Sequence, residues 1–177
     1  MQPIHFAAPL VAPWMTAPAH GITLMAGLVR PASRGTVRIA SADPDHAPVI
    51  DPRVLSASED VDALAAAVQL CREIAAQPAL RRGWNARELY PASMAATPEL
   101  ARDYIRETVV TYHHQAGTCA MGGHEDSVVD PSLRVHGVDG LMVADASVMP
   151  LVTTGNTNAP TVMIAERAAD LLLAEIA

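Results

Sequence analysis

His113-His114-Gln115-Ala116-Gly117-Thr118-Cys119-Ala120-Met121 is the stretch around which this chain is read. Its neutral imidazoles accept protons near neutral pH. The β-branched run Thr108-Val109-Val110-Thr111 leads into the histidine pair and predicts an extended backbone there. Successive side chains of an extended segment point to opposite sides. That makes His114 the candidate base and His113 a structural residue. Gly117 permits close approach of the backbone to a ligand. The same residues also suit a structural histidine at the end of a strand.

A second stretch, Gly155-Asn156-Thr157-Asn158-Ala159-Pro160-Thr161, sits near the C-terminus and opens a helix predicted over 158–174. Pro160 falls in its first turn. Val162, Ile164, Ala165, Ala168, Ala169 and Leu172 fill its middle. Asn156 and Asn158 suit helix capping. Capping is compatible with a functional role, because a helix N-terminus offers free N–H groups and partial positive charge to an anionic group. Between the two stretches lies Val143-Ala144-Asp145-Ala146-Ser147-Val148-Met149-Pro150, and the three are read as one site.

Composition sets the bounds. The 177 residues suffice for one domain with a sizeable core, or for part of something larger. Half of them are hydrophobic and much of that is alanine. No apolar run approaches the roughly 18 residues of a membrane-spanning helix. Every basic residue is arginine, and a net charge of −7 argues against nucleic-acid or anionic-membrane binding. The start, Met1-Gln2-Pro3-Ile4-His5, lacks the pattern of a signal peptide. Cys71 and Cys119 make no disulfide framework, and a cytoplasmic location is expected. The apolar excess fits either alanine richness alone or a surface that rests on a missing partner segment.

Read in order, the first 20 residues are proline-rich loop, with a short strand possible at Ile4–Ala7. Ile22–Val29 reads as a strand, paired antiparallel with Thr36–Ala40 across Arg30–Gly35. Ser56 and Glu59 have capping-box spacing ahead of a helix whose stripe is Val61, Leu64, Val68, Cys71 and Ile74. Cys71 is read as core. Residues 80–96 read as irregular. Thr97-Pro98-Glu99 starts a helix that stops near Glu107. Leu133–Val135 and Leu141–Val143 form a hairpin around His136–Gly140.

Three other chemistries fit poorly. His113, His114, Cys119 and His124 match no zinc spacing, so no metal is expected. Ser147 lacks the Gly-x-Ser-x-Gly elbow of a hydrolase nucleophile. No Gly-x-Gly-x-x-Gly dinucleotide loop occurs.

With those residues quoted, the chain resembles the C-terminal part of the glucose-methanol-choline (GMC) flavin oxidoreductases. The matching segments, in order, are 114–122, 143–150 and 155–161 with Glu166-Arg167 behind it. Upstream, 28–37 and 50–53 are similar too. The resemblance implies an α+β fold: an antiparallel sheet with helices, as in the substrate domain of the GMC fold, plus a C-terminal segment completing the FAD domain. It implies a substrate-binding part over 1–107 and a catalytic, FAD-contacting part over 108–177. It implies FAD as cofactor and oxidation of a small alcohol of the choline or generic alcohol type, with His114 as base and Asn158 holding the substrate oxygen. Asp145, Ala146, Asn156, Pro160 and Thr161 are implied to contact the cofactor. The family's N-terminal half, with its ADP-holding glycine-rich loop, is absent from the sequence. The chain is therefore expected to be a truncated or split enzyme that needs that half, or else a non-catalytic fragment or subunit.

Overall fold

A computed structural model describes residues 14–16 and 20–176. The expected strand at Ile4–Ala7 lies outside the described residues. The chain divides into two compact units: residues 1–34 with 53–111, and residues 35–52 with 112–177.

The first unit is helical. α1 spans Ser58–Ala75, α2 Pro78–Arg81 and α3 Pro98–Thr108, with a 3-10 turn at Ala92–Ala95. α1 packs on α3, and α3 on the 3-10 turn. Val61, Leu64 and Cys71 from α1 are buried, as are Ala95 and Ile105. Cys71 is thus core, and burial pushes its thiol pKa up. The expected stripe is shorter than its spacing suggested, because Ile74 is exposed at its end. Thr97 caps α3 as its sequence predicts, its side chain accepting from the Leu100 N–H at 3.3 Å.

The capping box expected at α1 does not form. Ala57 holds the N-cap position and makes no side-chain cap bond. A distant loop caps the helix instead. The Ser33 hydroxyl accepts from the Ala57 N–H at 3.1 Å. Asp60, only 3% exposed, accepts from the N–H groups of Ala32 and Ser33, both at 2.8 Å, and from the Ser33 hydroxyl. Burial alone would raise the Asp60 pKa. The three donors, helped by the Arg34 charge, outweigh it and hold the carboxyl below its usual value.

Ile22–Val29 is not a strand. The edge assigned to it is taken by a segment that follows later in the chain. β1 (Thr36–Arg38) pairs antiparallel with β2 (Val49–Asp51), in the register Thr36↔Asp51, Val37↔Ile50 and Arg38↔Val49. The turn between them is tied by His46 N–H to the Asp43 carbonyl at 3.1 Å and Asp45 N–H to Asp43 Oδ1 at 3.0 Å. A Cβ on Gly35 would run into the Asp51 carbonyl, so only glycine enters this hairpin.

The second unit also contains the motif segments. Its core is Val129, Leu133, Val148, Met149, Ile164 and Ala168. Val129 and Val148 are fully buried. α4 spans Asn158–Ile176 and contacts a 3-10 turn at Ala146–Val148. The hairpin expected at 133–143 exists as single bridges rather than strands. Val135 N–H bonds the Leu141 carbonyl, Val143 N–H the Leu133 carbonyl, both at 3.0 Å, and Arg134 bridges Met142. Together these elements bear out an α+β chain with a small antiparallel sheet.

Two predictions arise here. Asp60→Asn should destabilise the first unit by about 1–3 kcal/mol, because the carboxamide turns an N–H₂ toward donors that need an acceptor. Since the folded Asp60 pKa is depressed, its contribution is full above the unfolded value, near pH 4, and vanishes as pH falls through the folded one. Chemical unfolding curves measured from neutral to acid pH should therefore converge for wild type and variant only at the acid end. Gly117 has φ +92°, and a Cβ there would lie 3.2 Å from the Met149 carbonyl oxygen. Gly117→Ala should cost about 1–2 kcal/mol, read as a lower melting temperature; an unchanged one would show that the backbone relaxes freely at this point.

Candidate active site

The histidine segment is fastened by backbone bonds to two neighbours. Cys119 N–H donates to the Ser147 carbonyl and Met121 N–H to the Val148 carbonyl, both at 2.9 Å. Gly122 N–H donates to the Val129 carbonyl, and Val128 N–H to Ala120, again at 2.9 Å. Ala116 and Met121 rest against the core cluster. The close neighbour that Gly117 accommodates is thus the Met149 backbone, part of this packing, where the sequence suggested a ligand. Thr108–Thr111 is not a strand: Thr108 ends α3 and Val109 caps it. His113 sits at φ +60°, so the histidine pair does not lie on a continuous extended backbone.

His114 is half-buried. Its Nδ1 lies 3.1 Å from Thr157 Oγ1, and its ring meets the Tyr112 ring at 5.7 Å between centroids, tilted by 58°. This contact brings the first and third motifs together at the start of α4. Asn158 is the first residue of that helix, so the cap position falls to Thr157, whose carbonyl accepts from the Thr161 N–H at 3.0 Å and the Thr161 hydroxyl at 2.6 Å. Asn156 and Asn158 flank Thr157 and are exposed, whereas Thr157 is buried.

Thr157 is the residue that sequence reading missed. The signal was there: Thr157, Thr161, Ile164, Ala168 and Leu171 recur at alternating four- and three-residue steps. Ile164 and Ala168 belong to the core cluster and Leu171 packs against it. The same stripe, extended back to the cap, turns Thr157 inward toward His114.

Asp145 caps the 3-10 turn that Ala146 opens. The Asp145 carboxylate accepts from the Ser147 N–H at 2.7 Å. Its pKa is lowered by the Ser147 hydroxyl beside it and by this N–H. The buried hydroxyl does not reach hydrogen-bond geometry, so the N–H is the bond that counts. The Asp145 and Ala146 carbonyls accept from the N–H groups of Val148 and Met149, both at 3.3 Å. Pro160 and Thr161 are half-buried in the first turn of α4. Pro160 has no N–H, and that of Thr161 is used within the helix. The amides of Asn158 and Ala159 are the first-turn groups without a carbonyl one turn earlier. His113, Cys119 and His124 do not join His114 in any group of three or more potential metal ligands among the described residues.

Chemically, the arrangement places an imidazole beside a helix N-terminus and two exposed asparagines. A helix start stabilises negative charge, and asparagine both donates and accepts hydrogen bonds. These groups can orient an oxygen and remove a proton from it.

Known proteins are similar to this chain in sequence and in structure. The chain is 47% identical over 157 residues to the choline oxidase of Arthrobacter globiformis, covering 86% of this chain and 29% of that protein. In structure it is similar to pyridoxine 4-oxidase from Mesorbium loti, with a TM-score of 0.83, 38% identity, and coverage of 92% of this chain and 32% of that one. An FAD-dependent oxidoreductase from Chaetomium thermophilum gives a TM-score of 0.77 at 34% identity, covering 83% of this chain and 26% of that one. The chain thus spans less than a third of the length of these relatives. The GMC oxidoreductase family matches residues 31–165, and the chain belongs to that family, as its C-terminal part.

Proposed function

We propose that this chain carries the catalytic C-terminal part of an FAD-dependent enzyme that oxidises the CH–OH group of a small alcohol. The observation that carries the reading is the convergence of His114 with the Asn156–Asn158 segment at the start of α4, in a chain of the GMC family. His114 takes the hydroxyl proton at Nε2. Asn158 holds the substrate oxygen by hydrogen bonds from its carboxamide.

The residues present suit the flavin ring better than the ADP end of FAD. Asn156, Asn158 and the first-turn amides of α4 offer polar and partly positive groups to an electron-rich ring edge. Pro160 and Thr161 shape that turn, and Asp145 with Ala146 lies on the neighbouring 3-10 turn. FAD, when bound, supplies the hydride acceptor, so that the alcohol leaves as a carbonyl compound after giving up one hydride and one proton. Residues 1–107 serve as the substrate-binding part and 108–177 as the catalytic and cofactor-contacting part.

The glycine-rich loop for the ADP moiety belongs to the FAD-binding part of the family that these 177 residues do not include, and turnover needs that part, whether joined to this chain or separate from it. Exposed apolar residues such as Ile39, 88% exposed, and Ile50, 65% exposed, support a surface that another polypeptide segment covers. No helix among the described residues is long and apolar enough to cross a membrane. The two cysteines are unpaired, in keeping with a reducing, cytoplasmic setting.

The test is to mix the chain with, or fuse it behind, the N-terminal part of the Arthrobacter globiformis choline oxidase and follow the visible spectrum. A bound flavin that bleaches on addition of choline or a simple alcohol is expected. His114→Ala should keep the flavin and slow bleaching by about 10²–10⁴-fold. Bleaching at an undiminished rate in the variant would remove His114 from the chemistry. A mixture and a fusion that both lack flavin would remove the oxidoreductase reading for this chain.

A further inference from the structure

The hydrogen bond between His114 and Thr157 links a titratable ring to a buried hydroxyl across 43 positions of sequence. We propose that Thr157 is a positioning residue that fixes the tautomer of His114, holding its proton on Nδ1 so that Nε2 presents a bare lone pair. The inference rests on the reading of His114 as the base.

Four observations carry it. First, Thr157 is only 7% exposed, so its hydroxyl sits where a lost partner is costly. Secondly, the 3.1 Å separation is a hydrogen bond whose direction is set by the tautomer of the ring. With the proton on Nδ1, the ring is the donor and the threonine oxygen the acceptor. Thirdly, capping has less claim on the hydroxyl than usual. With Asn158 as the first helical residue, the third is Pro160, which has no N–H to donate to a cap side chain, so of the two usual donors only the Ala159 N–H remains. Fourthly, the threonine backbone is rigid. Its carbonyl takes two bonds from Thr161, and its stripe continues through Ile164 and Ala168 into the core. The Tyr112 ring, at 5.7 Å, stands against the imidazole as well.

The consequence is directional. A neutral imidazole has one bare nitrogen, and which one it is decides whether the ring can accept a substrate proton. With Nδ1–H committed to Thr157, that nitrogen is Nε2, on the far side of the ring from the threonine. Asn158, next in sequence and exposed, is then free to face the same oxygen from the helix start.

The experiment is long-range ¹H–¹⁵N NMR on the isotopically labelled full chain, without cofactor or substrate, at a pH where the ring is neutral. Wild type should show the proton of His114 on Nδ1. Thr157→Val, which removes the hydroxyl at nearly constant shape, should move the Nδ1–H to Nε2–H ratio by roughly fivefold toward Nε2–H. Thr157→Ser should restore the wild-type ratio, and it guards against a valine variant that fails to fold, as judged from the backbone amide spectrum. A proton on Nε2 in wild type, or a ratio in Thr157→Val equal to that of wild type, overturns the proposal. This readout is separate from redox activity. Loss of flavin reduction with an intact Nδ1–H signature would count against the oxidoreductase reading alone.

Discussion

The second unit depends on the joint burial of Val129 and Val148. Both are fully excluded from solvent, and each comes from a segment too short and irregular to be stable alone. What joins them is the strip 119–122, whose N–H groups reach the Ser147, Val148 and Val129 carbonyls. A buried backbone N–H without a partner costs about as much as a lost hydrogen bond. The three segments are therefore obliged to stay in one register. Leu133 and Met149 fill the space beside the valines, and Ile164 and Ala168 of α4 close it.

Holding that register is what makes the chemistry local. His114 lies only five residues before the first fastened amide, at Cys119. Gly117, in between, runs so close to the Met149 carbonyl that a side chain would crowd it. At the other end, the docking of α4 through Ile164 and Ala168 fixes the azimuth of its first turn. Thr157 points inward and its neighbours Asn156 and Asn158 remain accessible. A ring and a hydroxyl far apart in sequence are thereby held at bonding distance by packing and hydrogen bonds.

The first unit solves a different problem by similar means. α1 begins without a local cap, and the loop residue Ser33 supplies one from a distance. Asp60 returns the favour to the Ala32–Ser33 backbone. Because three donors converge on one carboxylate, the cost of burying it is more than offset, as its lowered pKa records. The exchange ties a loop with no regular structure to the longest helix of that unit.

The sequence by itself determined the elements whose signals are local. Thr97-Pro98-Glu99 started α3, the 3.6-residue stripe from Val61 to Cys71 marked a buried face, and Asn158 onward ran as a helix. The three spaced motifs also sufficed to identify the GMC family. Tertiary structure decided everything that needed a partner from elsewhere. Ile22–Val29 has the composition of a strand, but the edge it required was taken by Val49–Asp51, across a loop (residues 39–48) longer than Arg30–Gly35, so loop length did not decide the pairing. Ser56 and Glu59 had capping-box spacing, yet Ser33 and Asp60 provided stronger, buried bonds. Thr157 was passed over between two asparagines because a hydroxyl is chemically unremarkable in sequence. Only the packing of Ile164 and Ala168 turns it toward His114, since the direction of a side chain on a helix is set by the face that the rest of the helix buries.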